Sequence, residues 1–119
     1  MRHWIDKFRC AGRGLVLGAQ RQSSFAAHAI IAIAVLLAAA ALGCERWQWC
    51  VLLLCIALVL SLEYANSALE RLAKGLCSTH NPDVGAALDI ASAAVLIASA
   101  FAAVIGLAIL GEQLWRRLT

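Results

Sequence analysis

Three long apolar runs dominate the chain, and short polar segments separate them. The runs cover about residues 25–43, 49–72 and 87–110. A membrane-spanning helix needs about 20 predominantly apolar residues, so each run is long enough to cross a bilayer. The pattern therefore predicts three transmembrane helices. A secretory leader is a less favoured interpretation of the first run, because two further spans follow it without an exported domain.

Residues 4–20 show a different pattern, in which apolar and basic side chains are mixed. Aromatic and aliphatic residues are interspersed with Lys7, Arg9 and Arg13. This mixture is typical of an amphipathic helix that lies in the headgroup region of a membrane. Three glycines in the segment weaken the helix prediction, since glycine has a low helix propensity. The alternative is a basic tail without regular structure.

Two polar segments connect the predicted spans. Residues 44–49 contain two tryptophans, which prefer membrane boundaries, and we expect a turn there. Residues 75–85 are rich in Ser, Asn and Pro and are predicted to form a loop. Asp89 stands at the predicted entrance of the third helix, where the positive end of the helix dipole favours an acidic side chain.

The composition supports a membrane protein with a single domain over residues 1–119. The chain is 63% hydrophobic and only 14% charged, and its mean hydropathy is +0.82. A soluble domain has roughly half apolar and a quarter charged residues. The five cysteines include no Cys-x-x-Cys pair. A disulfide framework or a zinc site is therefore not favoured, although Cys44 and Cys50 are close enough in sequence for a bridge.

The distribution of basic residues predicts the orientation in the membrane. Seven basic residues lie before the first span or between the second and third, and three lie at the opposite ends of the spans. Cytoplasmic loops carry an excess of Lys and Arg. The N-terminus and the segment from Glu63 to Asp89 are therefore expected on the cytoplasmic side.

Two acids and an amide interrupt the second apolar run. At roughly 100° per residue, Glu63, Asn66 and Glu70 share a narrow face of one helix. Acids at membrane depth are costly and are usually kept for coordination, proton transfer or pairing inside a bundle. The pattern predicts a functional site on this face. A small transporter or channel is one alternative, but only one helix carries intramembrane acids.

The same block resembles the prokaryotic diacylglycerol kinase family, a group of membrane lipid kinases that includes undecaprenol kinases. The family pattern is Glu-x-x-Asn-Thr/Ser-Ala-x-Glu, and its fixed positions are filled here by Glu63, Asn66, Ser67, Ala68 and Glu70. The resemblance continues over residues 89–96, and Phe8-Arg9 and Arg13-Gly14-Leu15 resemble the N-terminal pattern of the family. Phe25 and His28 are similar to the undecaprenol kinase branch.

The resemblance implies an all-α fold, a homotrimer with active sites between subunits, and a bacterial inner-membrane location. It implies transfer of the ATP γ-phosphate to a lipid alcohol with Mg²⁺, and diacylglycerol is the first substrate expected, with undecaprenol close behind. Glu63 corresponds to the acid that acts on the lipid hydroxyl, and Glu70 corresponds to the metal-binding acid. Asn66 is expected to hydrogen-bond between them.

Further site residues are expected around these three. Nucleotide contacts are assigned to Arg9, Arg13, Lys74 and Asp89, substrate contacts to Ser92 and more weakly to His28, and a weak metal contact to Gln22. Lys74 lies four residues after Glu70 and can reach phosphates, although an ordinary surface ion pair explains the same spacing. The arginines suit anionic headgroups equally well. For His28 the simpler interpretation is a satisfied buried histidine.

Three positions depart from the family pattern. Gln22 replaces a glutamate that joins in metal binding, Lys74 replaces an aspartate, and Leu88 replaces a lysine. These changes remove part of the usual nucleotide site, and they motivate a second hypothesis, in which the chain is a catalytically impaired relative that binds lipid or another membrane protein. A Ser/His/Asp hydrolase is poorly supported, because no nucleophile elbow is present.

Overall fold

The computed structural model describes residues 2–20 and 23–119, with the side chains of Gln20, Ser23 and Ser24 left out. Four helices account for nearly all of this part of the chain: α1 (Arg2–Gln20), α2 (Ser23–Leu42), α3 (Arg46–Leu76) and α4 (Pro82–Leu118). α2, α3 and α4 are each long and apolar enough to cross a membrane. The predicted all-α fold with an N-terminal helix and three spans is confirmed.

The largest helix contact is between α3 and α4, and α2 packs against both. Few side chains are buried among the described residues. Large apolar residues such as Ile30, Leu54, Leu96 and Phe101 are mostly exposed. Exposure of so much apolar area to water would be unfavourable, because burial of apolar area is the main driving force for folding. In a bilayer the same residues face lipid tails or neighbouring helices.

The connection between α2 and α3 is shorter than predicted. The turn covers residues 43–45, because α3 already begins at Arg46. Gly43 has a φ of +69°, a left-handed conformation that other residues rarely adopt. Gln48 in the first turn of α3 accepts a hydrogen bond from the Glu45 backbone N–H at 2.7 Å. This bond caps the helix and explains why the polar segment after residue 45 is helical rather than a turn.

A polar cluster fastens this turn to the end of α4. Gln48 is fully buried, and its amide donates to Gln113 at 3.4 Å. Gln113 and Arg117 in turn donate to the carbonyl oxygen of Leu42 at 3.1 and 3.0 Å. These bonds satisfy a carbonyl that the last turn of α2 leaves without an intrahelical partner. The cluster therefore fixes the end of the bundle that lies away from Glu63.

The predicted loop over residues 75–85 is present but shorter, because both flanking helices extend into it. α3 continues to Leu76, and α4 starts at Pro82. The Asn81 side chain accepts hydrogen bonds from the backbone N–H groups of Asp83 and Val84, at 3.0 and 3.3 Å. Asn is a strong N-cap residue and Pro is favoured in the first helical turn, so both residues start a helix here. Asp83, rather than Asp89, is the acid in the first turn.

Candidate functional site

Glu63 lies on α3 at the junction of the three spanning helices and is only 3% exposed. Its Oε1 atom is 3.0 Å from Nδ1 of His28 on α2. The distance is that of an ion pair, but Nδ1 is buried and has no aligned hydrogen-bond acceptor among the described residues. The other ring nitrogen, Nε2, lies 3.4 Å from Oγ of Ser99 on α4. These contacts link one polar side chain from each of the three spanning helices.

Asn66 and Glu70 form a second polar group on the same face of α3. The Asn66 amide nitrogen donates to Glu70 Oε1 at 3.1 Å. Asn66 is buried, and its Oδ1 atom has no hydrogen-bond partner within the described part of the chain. Buried oxygens are normally satisfied, so an unpaired one next to a carboxylate indicates a place for a cation or a donor group. The predicted contact from Asn66 toward Glu70 is present.

The two acids occupy separate positions. Glu63 and Glu70 are about two helical turns apart, which corresponds to roughly 10 Å along the helix axis. Glu63 is buried, while Glu70 is half-buried. Because the distance is too long for both acids to contact one reacting atom, they are suited to different tasks. No three His, Cys, Asp or Glu side chains of the described segments come close enough to form a metal site by themselves.

A cavity of about 450 Å³ lies next to His28 and is formed by α2, α3 and α4. Ser99 also lines it, while most of the remaining wall is apolar and includes Leu52, Ala103 and Gly106. Ligand sites in proteins commonly combine an apolar wall with a few polar groups that fix orientation. The cavity and the polar chain through His28 are therefore parts of one region.

α1 is held beside this region by Tyr64, the residue that follows Glu63. The Tyr64 hydroxyl donates to the Leu15 carbonyl oxygen at 2.6 Å. The Tyr64 ring also packs edge-on against Phe25 of α2, with centroids 5.3 Å apart. A Cβ atom on Gly18 would lie 2.7 Å from Cε2 of Tyr64, so the close approach of α1 requires glycine at this position.

This close approach leads to a prediction for two glycines one turn apart in α1. Gly18→Ala is expected to push α1 away from α3, because overpacking typically costs about 1–3 kcal/mol. Gly14→Ala meets nothing within 4 Å and should stabilise the helix by about 0.5–1 kcal/mol. Hydrogen exchange of the α1 amides in detergent should become faster in the first variant and slower in the second. Slower exchange in both would show that α1 does not pack on Tyr64.

The other predicted nucleotide and substrate contacts fall on exposed residues. Arg9, Arg13, Lys74, Asp89 and Ser92 are all exposed. Lys74 forms no ion pair with Glu70 in the described structure, although their spacing of four residues favours one. The Lys74 side chain instead projects from the last turns of α3. These contacts therefore remain predictions.

Gln22 and Leu88 are two of the positions that depart from the family pattern. Gln22 lies outside the described residues. Leu88 is half-buried on α4, whereas the neighbouring Asp89 is exposed. Adjacent residues on a helix point about 100° apart, so the two side chains cannot both face the same partner.

Sequence reasoning missed Ser99 and Tyr64 as parts of this region. Ser99 is a single small polar residue within a long apolar helix, and its contact with His28 joins positions 71 residues apart. No periodic pattern identifies such a pair. Tyr64 stands directly after Glu63, but a tyrosine near a membrane boundary is common without any site.

The chain matches the family model described as prokaryotic diacylglycerol kinase over residues 9–110. It belongs to this family, and it is a membrane lipid kinase. It is 31% identical over 109 residues to the undecaprenol kinase of Bacillus subtilis (strain 168), a match that covers 92% of this chain and 89% of the relative. No solved structure gave a significant match.

Proposed function

We propose that the protein transfers the γ-phosphate of ATP to the hydroxyl group of undecaprenol. The buried Glu63, 3.0 Å from His28, which itself lines an apolar cavity, is the observation that carries this proposal. The sequence alone favoured diacylglycerol as the first substrate. The name of the Bacillus subtilis relative, together with Phe25 and His28, reverses that order.

In the proposed reaction Glu63 accepts the proton of the lipid hydroxyl. The lipid oxygen then forms a bond to the γ-phosphorus, and the bond from that phosphorus to the bridging oxygen breaks, so that ADP leaves with the electron pair. General bases must lie within hydrogen-bond reach of the proton that they take. A carboxylate held at membrane depth can meet a hydroxyl whose chain remains in the apolar cavity. The isoprenoid chain itself needs no polar partner there.

The residues around Glu70 fit a magnesium ion. Mg²⁺ is usually bound by one or two carboxylates together with phosphate oxygens and waters, rather than by a complete protein cage. Glu70 and the unpaired Oδ1 of Asn66 supply oxygen ligands of this kind. When bound, the ion would neutralise charge on the triphosphate. Asn66 would then have two tasks, since its amide nitrogen donates to Glu70 and its oxygen could hold the ion.

The protein is proposed to lie in the bacterial inner membrane with the N-terminus and the end of α3 near Glu70 on the cytoplasmic side. Seven of the ten basic residues are at this side of the spans, in agreement with the excess of Lys and Arg in cytoplasmic segments. This orientation gives the site access to ATP. The basic residues of α1 would also attract anionic headgroups.

A homotrimer is the proposed assembly. The exposed apolar faces of α2 and α4 provide surface for contacts between copies. Arg9, Arg13, Asp89 and Ser92 are exposed in one chain, and this exposure supports a role for them in the site of a neighbouring chain. Nucleotide binding by these residues is part of the same proposal.

The test is a transfer assay with purified protein in lipid nanodiscs, ATP labelled at the γ-phosphate, and Mg²⁺. Undecaprenol and diacylglycerol are supplied in separate reactions at equal mole fraction. Labelled undecaprenyl phosphate is expected, with little or no labelled phosphatidate. Transfer only to diacylglycerol would overturn the substrate assignment. A folded protein that transfers phosphate to neither lipid would support the binding scaffold, the alternative motivated by Gln22, Lys74 and Leu88.

A further inference from the structure

The polar chain from Ser99 through His28 to Glu63 joins one residue from each spanning helix. Its two contacts measure 3.4 Å between Ser99 Oγ and His28 Nε2 and 3.0 Å between His28 Nδ1 and Glu63 Oε1. The second is an ion-pair distance without hydrogen-bond alignment. Ser99 and His28 are half-buried, and Glu63 is buried. Polar groups at membrane depth are costly, so a chain of three across separate helices requires an explanation.

The chemistry of the groups determines the direction of the contacts. An ionised carboxylate only accepts hydrogen bonds, so the ring nitrogen that faces Glu63 is favourable only if it carries a hydrogen. A neutral imidazole has one N–H and one acceptor nitrogen. With the hydrogen on Nδ1, Nε2 becomes the acceptor, and the hydroxyl of Ser99 is the donor that it needs. The Ser99 hydroxyl can both donate and accept, so its contact with Nε2 is compatible with the hydrogen on Nδ1 that suits Glu63.

We infer that His28 is a positioning residue for Glu63 and that Ser99 holds the imidazole in the required orientation. This inference rests on the proposed function, since it assigns a task to His28 in the same reaction. His28 does not need to contact the lipid hydroxyl. It limits the rotation of the Glu63 side chain, so that the carboxylate is held in one orientation toward the substrate.

Two other described side chains near this region have different contacts. Cys55 on α3 lines the same cavity as His28 and Ser99, but a thiol is only a weak hydrogen-bond donor. Tyr64 directs its hydroxyl to the Leu15 carbonyl on α1. His28 is the side chain of α2 whose Nδ1 lies 3.0 Å from Glu63 Oε1.

Two replacements of His28 separate positioning from packing. The amide nitrogen of His28→Asn can take the place of Nδ1 and keep the donor toward Glu63, whereas that of His28→Gln reaches the place of Nε2 and leaves Glu63 without it. We expect kcat to fall about 100-fold in His28→Gln, as for a small misplacement of a reacting group. In His28→Asn we expect a loss below about tenfold. KM for MgATP should stay within twofold of wild type in both, as roughly expected when binding groups are intact.

Variants of Ser99 test the other half of the chain. Ser99→Ala should lower kcat by about tenfold, and Ser99→Thr, which keeps the hydroxyl, should restore most of it. Ser61→Ala is the matched control, because Ser61 is an exposed serine of α3 two residues before Glu63. Its kcat should equal that of wild type. Equal losses in His28→Asn and His28→Gln, or no rescue by Ser99→Thr, would overturn the positioning role.

A spectroscopic measurement checks the tautomer without any activity assay. Solid-state NMR of protein with ¹⁵N-labelled histidine, in lipid, should show a hydrogen on Nδ1 of His28; the His28→Asn spectrum identifies the His28 signal. Ser99→Ala should shift the Nε2 signal, because it removes the hydroxyl that contacts this nitrogen. A ring with the hydrogen on Nε2 in wild type would overturn the inference even if the protein is an active kinase. Failure of wild type to transfer phosphate would instead refute the proposed function.

Discussion

Glu63→Gln is expected to lower the rate of lipid phosphorylation by about 100- to 10,000-fold, the range usually supplied by a general base. Glutamine has nearly the same shape as glutamate and can stay beside His28, but it cannot accept the proton of the lipid hydroxyl. The loss should appear in kcat at saturating lipid and MgATP. KM for MgATP should change little, because Glu63 lies about two helical turns from Glu70. Initial rates in nanodiscs provide the measurement.

Glu112→Gln is the control for this loss. Glu112 is an exposed acid near the other end of α4, where its Oε1 accepts a hydrogen bond from Arg116 at 2.8 Å. Exposed pairs with this spacing contribute only about 0.3–0.5 kcal/mol, so activity and thermal stability should match wild type. Glu63→Gln protein must also keep its helix content and oligomeric size. If such intact protein retained more than about a tenth of the wild-type rate, Glu63 would not be the base.

The spans could be predicted from sequence because their signal is long and local. About 20 consecutive apolar residues leave few alternatives to a membrane helix. The helix ends were less predictable, since they depend on single hydrogen bonds. The residues around Asn81 have the composition of a loop, yet the Asn81 side chain caps two N–H groups and starts α4 at Pro82. At the other turn, Gly43 and Gln48 shorten a segment that was expected to reach residue 49.

The candidate site follows the same division between local and distant contacts. Glu63, Asn66 and Glu70 were predictable because one helix face carries all three, and the Asn66 to Glu70 bond needs only a spacing of four residues. Ser99 was not predictable, because its contact with His28 depends on how α4 packs against α2. Spacing alone also misled at Lys74, whose side chain is exposed without an ion pair to Glu70 in the described structure.

Glu70→Gln is expected to act on Mg²⁺ and nucleotide rather than on the proton transfer. The Mg²⁺ concentration for half-maximal activity should rise at least tenfold, since even partners in the outer shell of a metal typically account for about 10–100-fold in affinity. The neutral amide still accepts a hydrogen bond from Asn66, so the local packing should survive. Much of the rate should return at high Mg²⁺. Activity titrations and binding of Mn²⁺ to the protein with ATP, followed by electron paramagnetic resonance, provide two independent measurements.

Asp83→Asn is the matched control, because Asp83 is an exposed acid in the first turn of α4 and has no assigned task. Its Mg²⁺ response should equal that of wild type. The two acid variants of α3 are then distinguished by the parameter that changes, with kcat lowered in Glu63→Gln and the Mg²⁺ requirement raised in Glu70→Gln. An unchanged Mg²⁺ response in Glu70→Gln would reject Glu70 as the metal-binding acid. The division of tasks along α3 would then have to be reassigned, with Asn66 and the exposed Asp89 as the next oxygen ligands to test.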